Sequence, residues 1–359
     1  MARIMLINMP TRMNESAKHI PIGIAQLASV LDQEGHAVVI LDANCYKLNR
    51  DLIRKDLKDE SEFIKGQFQL KPDDPPFDVI GLSGMITTYR IQKEIIPWIK
   101  KDHPKSLLIS GGGCATSIPF DMLQWNPDLD LVVLGEAEKT ILQIVEHLED
   151  HDWDKVNGII YREGETLNST EPQPLLTEKE MDELPYPAWD LLPLEDAERP
   201  MFGYFTNSPF LMFLPRRRLS MIASRGCPYS CTFCTDILSG QSRTAWKGTK
   251  GTKKIRYNSP KYVVDMIKAA RFRHCIDFVS FCDECLTSNR KWMLQFCELL
   301  EAEDLPKYVQ WGTTAHARTV DGELLGKMRE AGCQYLDLGF ESGDNRILKS
   351  IKKGSTVEL

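Results

Sequence analysis

Short apolar segments alternate with amphipathic helical segments along this chain, and this alternation most narrows the folds that it can adopt. Apolar residues recur at helical spacing in Ile22–Glu34, Arg90–Lys101 and Ala137–Leu148. The apolar segments between them are typical of buried strands: Arg3–Asn8, Ala37–Leu41, Asp78–Leu82, Ser106–Ser110 and Leu131–Leu134. Because such strands need helices on both faces of a sheet, we predict a doubly wound, parallel α/β sheet over residues 1–150.

A second alternating region begins at residue 219, after a predicted hairpin and a proline-rich connector that together span residues 151–218. Its predicted strands are Ser220–Ser224, Ile276–Phe281, Val309–Ala315 and Tyr335–Gly339. Strand–helix repeats of this kind build parallel barrels, whose chemistry lies in the loops after the strands. Because four strands do not close such a barrel, we predict a partial, C-terminally incomplete (β/α) barrel over residues 219–359.

The charge balance narrows the possible partners. The chain of 359 residues carries 44 Lys and Arg against 51 Asp and Glu, a net charge of −7. Nucleic-acid binding needs a basic patch, and the run Arg216–Arg218 is too short to form one. No apolar run reaches the length of a membrane span, and the N-terminus lacks a signal-peptide cleavage region. We therefore expect a cytoplasmic protein whose ten cysteines are reduced and available as metal ligands.

Three cysteines lie within eight residues, directly after a predicted strand: Cys227, Cys231 and Cys234. Thiolates are the protein ligands of iron–sulfur clusters, and three of them leave one iron of a 4Fe–4S cluster open. The alternative is that these thiols pack as small apolar side chains on a turn. Cys282 and Cys285 form a further pair, which is either half of a zinc or auxiliary cluster site or packing at a strand end.

The segment Ser224–Cys234, with the sequence Ser-Arg-Gly-Cys-Pro-Tyr-Ser-Cys-Thr-Phe-Cys, resembles the cluster-binding loop of the radical S-adenosylmethionine (radical SAM) enzymes. This resemblance implies that Cys227, Cys231 and Cys234 hold a 4Fe–4S cluster. It also implies that the open iron binds the amino and carboxylate groups of S-adenosylmethionine. One-electron reduction, by a partner such as flavodoxin or ferredoxin, would then cleave this cofactor to a 5′-deoxyadenosyl radical.

Two further segments resemble cofactor-binding positions of the same family. Phe233 matches an aromatic position beside S-adenosylmethionine, for which plain hydrophobic packing is the alternative. After the fourth predicted strand, the sequence Gly-Phe-Glu-Ser-Gly matches a segment near the ribose and amino-acid end of the cofactor. The resemblance therefore implies S-adenosylmethionine contacts at Phe233, Gly339, Glu341 and Ser342. Asp283 and Glu284, at the end of the second strand of the barrel, rank below these residues.

The N-terminal half is similar to the cobalamin-binding domain of cobalamin-dependent radical SAM enzymes. The similarity lies in Asp78–Tyr89, Ser110–Thr116 and Val133–Glu138. Glycines at strand ends let the backbone approach a wide corrin ring closely, although flavin and nucleotide domains use the same device. The Asp-x-His-x-x-Gly motif of other cobalamin proteins is missing, so the resemblance implies binding without a protein histidine on cobalt. The implied contacts are Ser83, Gly84, Thr87, Gly111, Gly112, Gly113, Thr116, Gly135 and Glu136.

Together, the resemblances imply a cobalamin-dependent radical SAM enzyme that methylates an unactivated carbon of a small-molecule or peptide substrate. The radical would abstract a substrate hydrogen, methylcobalamin would deliver the methyl group, and a second S-adenosylmethionine would remethylate the cobalt. The alternative within this class is a non-methylating oxidative cyclisation or rearrangement. Two alternatives lie outside it. An iron–sulfur electron-transfer protein would need a fourth cysteine near Cys234, and a cobalamin-sensing protein would not need the cysteine loop.

Overall fold

The structure is a computed structural model, and it describes residues 1–10, 20–43, 76–192, 194, 217–234 and 255–359. Contacts between residues divide the chain into two compact units. Within the described ranges, the first unit takes in residues up to 175 and from 185 to 194. The second takes in residues 176–184, 217–234 and 255–359. The polar helical segment that the sequence predicts up to Gln69 lies outside the described residues. Each unit is a separate layer of strands with helices packed on it.

The sheet of the first unit contains seven described strands. They are β1 (Arg3–Asn8), β2 (Ala37–Asp42), β3 (Val79–Ser83), β4 (Leu107–Gly111), β5 (Leu131–Val133), β6 (Ile159–Glu163) and β7 (Thr166–Ser169). Their order across the sheet is β2-β1-β3-β4-β5-β6-β7. Strands β1 to β5 pair in parallel, and β6 and β7 add an antiparallel hairpin. The strand order reverses between β1 and β3, and ligands of doubly wound sheets bind at such a switch point.

Helices of the first unit bury their apolar faces on this sheet. They are α1 (Ile22–Gln33), α2 (Tyr89–Asp102), α3 (Gly112–Ser117), α4 (Pro119–Trp125) and α5 (Glu138–Glu146). In α2, the buried residues Ile91, Ile95 and Ile99 recur every four positions, which is the pattern of a helix with one apolar face. They belong to one core with Ile80 and Leu108 of the sheet. Burial of each such side chain contributes about 1.5–3 kcal/mol to the stability of the fold, and this core holds the strand ends in place.

The predicted doubly wound sheet is confirmed, and the structure adds two features to it. The hairpin that the sequence places in the connector extends this sheet, because β6 pairs with β5 and buries Ile159 and Ile160 in its core. In addition, Gly112 and Gly113 are the first residues of α3 and not only a glycine-rich strand end. Gly112 has a φ of +79°, which lets the chain turn directly from β4 into the helix.

The stretch after β7 divides between the two units. Helix α6 (Glu178–Glu183) begins with a capping box, in which Thr177 and Glu180 satisfy each other's backbone N–H groups. This helix belongs to the second unit, where its Met181 carbonyl accepts a hydrogen bond of 2.9 Å from Asn258 Nδ2. Pro185 belongs to the first unit, and its carbonyl accepts a hydrogen bond of 2.8 Å from Gln26 Nε2.

The second unit contains six described strands. They are β8 (Arg218–Met221), β9 (Ser224–Arg225), β10 (Arg256–Tyr257), β11 (Phe278–Phe281), β12 (Gln310–Ala315) and β13 (Cys333–Leu338). Four of them form a parallel sheet in the order β8-β11-β12-β13, and β9 and β10 form a separate antiparallel pair. The helices between and after them are α7 (Pro260–His274), α8 (Arg290–Ala302), α9 (Gly322–Glu330) and α10 (Asn345–Ser350). The predicted parallel strand–helix repeats are confirmed.

The first strand of this sheet ends earlier than the sequence predicts. The prediction extends it over Ser220–Ser224, but the ladder ends at Met221, whose carbonyl accepts a hydrogen bond of 2.8 Å from the Cys282 N–H. Beyond that point, the Ala223 N–H donates to a carboxylate side chain instead of a neighbouring strand. The chain is therefore free to leave the sheet just before the three cysteines.

The two faces of this sheet carry different chemistry. On the helix side, Phe296 of α8 packs edge-on against Phe281 and Trp311, with ring centroids 5.8 and 5.5 Å apart. On the other side, the Ser280 hydroxyl lies within hydrogen-bond distance of Arg218 Nη2 (3.2 Å) and of the Tyr335 hydroxyl (2.8 Å). Both faces are thus buried, one by packed aromatic rings and the other by a set of side chains that includes polar groups.

Candidate functional site

The three candidate cluster ligands lie on one segment directly after β9. Cys227 and Cys231 are half-buried and Cys234 is exposed, and none of the three forms a disulfide. Cys285 and Cys297, by contrast, are buried. Packing as small apolar side chains would bury the three thiols, so their exposure argues against that alternative. Accessible thiols that form no disulfide and lie on a single short segment are the donor set that an iron–sulfur cluster needs.

No group of three His, Cys, Asp or Glu side chains in the described ranges could hold a single metal ion. In a 4Fe–4S cluster each thiolate binds a different iron, so its three cysteine ligands do not need to converge on a single point.

The cysteine segment is fixed by contacts with the C-terminal part of the second unit. The Tyr229 ring stacks on the His316 ring, with centroids 3.9 Å apart and planes 15° apart. The Thr232 N–H donates to the Ile351 carbonyl at 2.9 Å. His316 Nε2 in turn donates to the Lys353 carbonyl at 3.0 Å. His316 Nδ1 accepts a hydrogen bond of 3.2 Å from the Arg318 N–H, which requires the neutral ring, and burial lowers the pKa of His316 in favour of that form.

Asp283 anchors the start of the cysteine segment from the end of β11. Its carboxylate is buried and accepts hydrogen bonds from the Ala223 N–H (3.1 and 3.2 Å) and from the Ser224 hydroxyl (2.5 Å). Its carbonyl accepts a bond of 2.5 Å from the Thr314 hydroxyl. Burial raises the pKa of Asp283 to about 6, against the effect of these donors. Asp283 therefore joins three neighbouring strand ends at the base of the candidate site, through its carboxylate to the chain after β8 and through its carbonyl to β12.

Asp283→Asn is expected to remove a pH dependence of stability. The pKa of Asp283 is about 6 in the folded protein and about 3.9 in the unfolded chain, so the folded state binds this proton more tightly. The stability contributed by the protonated form is complete below pH 4 and is lost as the pH rises through 6. The expected loss is about 3 kcal/mol. Urea unfolding of the wild type and the variant between pH 4 and pH 7 measures this loss. If the free energy of unfolding of both proteins changed equally steeply with pH, the assignment would be wrong.

Cys285 lies against the first candidate ligand. A hydrogen bond with the Cys227 thiol lowers the pKa of Cys285 to about 7, although burial acts in the opposite direction. Its partner in the predicted Cys-x-x-Cys pair, Cys282, instead directs its sulfur to the Ser280 carbonyl at 3.7 Å. The two thiols thus have different surroundings. Of the alternatives that the sequence leaves open, packing at a strand end describes Cys282, whereas Cys285 contacts the candidate site.

The candidate S-adenosylmethionine contacts come together around one lysine. Glu341 Oε1 forms an ion pair of 2.9 Å with Lys353 Nζ, and this Nζ lies 5.9 Å from the centroid of the exposed Phe233 ring. A Cβ atom on Gly339 would lie 2.5 Å from Glu341 Oε1 and 3.0 Å from Lys353 Nζ. Glycine at this position leaves room for the ion pair as it stands. Ser342 lies apart, and its hydroxyl accepts a hydrogen bond of 3.1 Å from the Asp344 N–H at the start of α10.

Sequence reasoning missed both Lys353 and His316. Lys353 is one of three basic residues in a short C-terminal stretch, and nothing in the local spacing distinguishes it from Lys349 or Lys352. His316 follows β12 directly, at the carboxyl end of a barrel strand. That position alone is a signal that could have drawn attention to it, because the loops after the strands carry the chemistry of such barrels.

The candidate cobalamin contacts lie at the carboxyl ends of three adjacent strands in the first unit. The Gly84 carbonyl, after β3, accepts a hydrogen bond of 2.9 Å from the Cys114 N–H of α3. The Gly135 N–H, after β5, donates to Thr116 Oγ1 at 3.1 Å. A Cβ atom on Gly112 would lie 2.6 Å from Ser83 Oγ. The three strand ends are thus joined into one edge, which also contains Gly111 and Gly113 on β4 and α3.

Exposed side chains complete this edge. Met85 and Ile86 follow Gly84, and their exposed fractions are 58% and 57%. Thr87 is also exposed, and Glu136 is half-buried beside Gly135. Apolar side chains that stand in solvent next to a glycine-lined backbone are typical of a ligand-binding edge. A wide, flat ring such as corrin fits this combination, because the backbone can approach its face without intervening Cβ atoms.

Two family models match the chain, one on each unit. The B12 binding domain matches residues 15–145. The Radical SAM superfamily matches residues 221–359. The chain combines a B12 binding domain with a radical SAM domain, which is the pair of domains of the cobalamin-dependent radical SAM enzymes. The predicted resemblance is confirmed at the level of both domains, and the radical SAM match begins just before the cysteine segment. The cofactors of this family are therefore a 4Fe–4S cluster, S-adenosylmethionine and cobalamin.

Individual relatives extend the comparison over both domains. The chain is 27% identical over 341 residues to an uncharacterised methyltransferase of Pyrococcus horikoshii. The aligned region covers 94% of this chain and 64% of that protein. It is 26% identical over 336 residues to the anaerobic magnesium-protoporphyrin IX monomethyl ester cyclase of a Synechocystis species, with coverages of 93% and 59%. This radical SAM chain thus spans less than two thirds of the length of either relative.

A solved structure shares the fold. The radical SAM methyltransferase TsrM of Kitasatospora setae, bound to tryptophan and an S-adenosylmethionine analogue, matches with a TM-score of 0.71 at 15% identity. The match covers 99% of this chain and 63% of that one. At this identity, the likeness establishes a common fold and nothing about the substrate.

None of the helices in the described part of the chain has the length and apolar character that a membrane span requires.

Proposed function

We propose that this radical SAM chain carries out a cobalamin-dependent methyl transfer to an unactivated carbon of a small-molecule or peptide substrate. The observation that carries the proposal is the presence, in one chain, of two suitable sites. One is a segment with three accessible thiols, and the other is a glycine-lined, partly apolar strand edge. When bound, the cluster and S-adenosylmethionine supply radical chemistry, and cobalamin supplies a transferable methyl group.

The chain's own residues would position these groups. Cys227, Cys231 and Cys234 would hold the cluster, and Asp283 would fix the start of their segment through Ala223 and Ser224. Phe233, Gly339, Glu341 and Ser342 remain the proposed S-adenosylmethionine contacts. Ser83, Gly84, Thr87, Gly111–Gly113, Thr116, Gly135 and Glu136 remain the proposed cobalamin contacts. We also propose a cytoplasmic location and a one-electron donor such as flavodoxin or ferredoxin.

A second candidate function is a non-methylating oxidative cyclisation. The observation that favours it is the similarity to a magnesium-protoporphyrin IX monomethyl ester cyclase, which spans 93% of this chain. Both reactions would use the same two domains, because neither the fold nor the family determines the fate of the substrate radical after hydrogen abstraction. The two candidates differ in the fate of the S-adenosylmethionine methyl group, which only methyl transfer consumes.

The test is anaerobic reconstitution of the full-length protein with iron, sulfide and hydroxocobalamin, followed by reduction and incubation with S-adenosylmethionine. Methyl transfer predicts stoichiometric cobalt, about four irons per chain, and both 5′-deoxyadenosine and S-adenosylhomocysteine as products. Formation of 5′-deoxyadenosine alone, with a candidate substrate converted, would favour the cyclisation. Absence of 5′-deoxyadenosine from cluster-loaded, reduced protein would overturn both candidates.

A further inference from the structure

Lys353 is unusual among the lysines of the described residues that form ion pairs. Only 8% of its surface is exposed, and its Nζ pairs with Glu341 Oε1 at 2.9 Å. The side chains of the other lysines in such pairs are more exposed, from 25% for Lys100 to 87% for Lys179, against 11% for Lys353. Burying an ammonium group costs free energy unless other groups compensate for its lost hydration. The burial of Lys353 at the candidate site therefore indicates a role other than keeping the protein soluble.

The backbone of Lys353 is held beside the cysteine segment. The Lys353 carbonyl accepts a hydrogen bond of 3.0 Å from His316, and its N–H donates to the Leu348 carbonyl at 3.0 Å. Lys352 and Gly354, on either side, have φ angles of +52° and +76°. These left-handed residues form a tight turn after α10, which fixes the backbone of Lys353, and the ion pair with Glu341 fixes its Nζ.

The charge of Lys353 lies beside the candidate ligands. Its Nζ faces Phe233, the residue directly before Cys234, and the Thr232 N–H, directly after Cys231, donates to the Ile351 carbonyl at 2.9 Å. The groups that face the ammonium group are the Glu341 carboxylate at 2.9 Å and the Phe233 ring at 5.9 Å. A 4Fe–4S cluster held by three thiolates has a net negative charge, which increases by one on reduction. A fixed cation nearby stabilises the reduced form more than the oxidised form.

We propose that the positive charge of Lys353 raises the reduction potential of the cluster held by Cys227, Cys231 and Cys234. The negative charge of Glu341 partly offsets this effect. This inference rests on the proposed cluster site. In the step concerned, one electron passes from an external one-electron donor into the cluster, and no bond of the protein forms or breaks. Lys353 thereby makes reduction of the cluster easier before S-adenosylmethionine is cleaved.

The test is an anaerobic redox titration of the full-length, cluster-loaded protein, followed by electron paramagnetic resonance. Lys353→Gln is expected to disfavour reduction about tenfold, a shift of about 59 mV to more negative potential for one electron. Lys352→Gln is the matched control, because the neighbouring lysine is exposed, and its potential is expected to equal that of the wild type. Lys353→Arg retains the charge and is expected to restore most of the potential.

Glu341→Gln gives the opposite sign and separates charge from structure. Removing the carboxylate leaves Lys353 uncompensated, so the potential is expected to become more positive.

Equal potentials in Lys353→Gln and Lys352→Gln would overturn the inference. So would negative shifts in both Lys353→Gln and Glu341→Gln, since damage to the site does not depend on the sign of the charge. If Lys353→Gln does not retain iron, the Glu341→Gln variant alone tests the inference: a more positive potential supports it, and a more negative one overturns it. Failure of the wild-type protein to bind iron would instead overturn the proposed function.

Discussion

Replacing Cys231 with Ala is expected to abolish iron binding, from about four irons per chain to none, while cobalamin binding is unchanged. Cys231 is the middle thiol of the three, and two thiolates do not hold a cluster against loss to solvent on a half-exposed segment. The candidate cobalamin edge lies in the other unit and stands on a separate core. The measurement is iron and cobalt quantitation after anaerobic reconstitution with hydroxocobalamin.

Cys297→Ala is the matched control for this variant. Cys297 is a buried thiol of α8, and burial raises its pKa to about 12, so it stays a protonated packing group. Its removal is expected to leave both metals at wild-type content, at a cost of about 1 kcal/mol for the small cavity. Retention of a full iron complement in Cys231→Ala would show that the ligand assignment is wrong.

Gly84→Ala is expected to show the opposite pattern, with cobalamin affinity reduced at least tenfold and the iron content retained. A Cβ atom at this position would lie 2.2 Å from Thr88 Oγ1 and 2.7 Å from Gln92 Nε2. Both side chains are fully buried and joined by a hydrogen bond of 2.8 Å, and Thr88 Oγ1 also donates to the Met85 carbonyl at 2.7 Å. Neither can move without breaking these bonds, so the loop after β3 must shift.

The shift has an energetic cost that can be measured separately. Overpacking together with a broken buried hydrogen bond is expected to lower the free energy of unfolding by about 2–4 kcal/mol. Gly23→Ala, in α1, is the control, because a Cβ atom there would meet nothing within 4 Å. It is expected to raise stability by up to about 1 kcal/mol and to leave cobalamin affinity unchanged. A folded Gly84→Ala protein with wild-type affinity would contradict the assigned edge.

The sequence by itself determined the elements and the contiguous motifs. Apolar runs such as Arg3–Asn8 are strands over the predicted residues, since burial on both faces demands a continuous apolar stretch. The cysteine segment and the glycine-rich strand ends were also visible, because their chemistry depends on residues close together in the chain. Where local spacing carries the information, as for α1 at Ile22–Gln33, the predicted boundary differs from the observed one by a single residue.

Only the tertiary structure decided which distant side chains complete each site. Asp283 meets Ser224 across 59 positions of the chain, and Lys353 meets His316 across 37. The hairpin β6–β7 joined the first sheet because the edge of β5 had backbone groups to pair, which no spacing within the hairpin encodes. Such contacts arise when whole elements pack, and the position of a buried carboxylate or ammonium group then depends on the sum of those packings rather than on neighbouring residues.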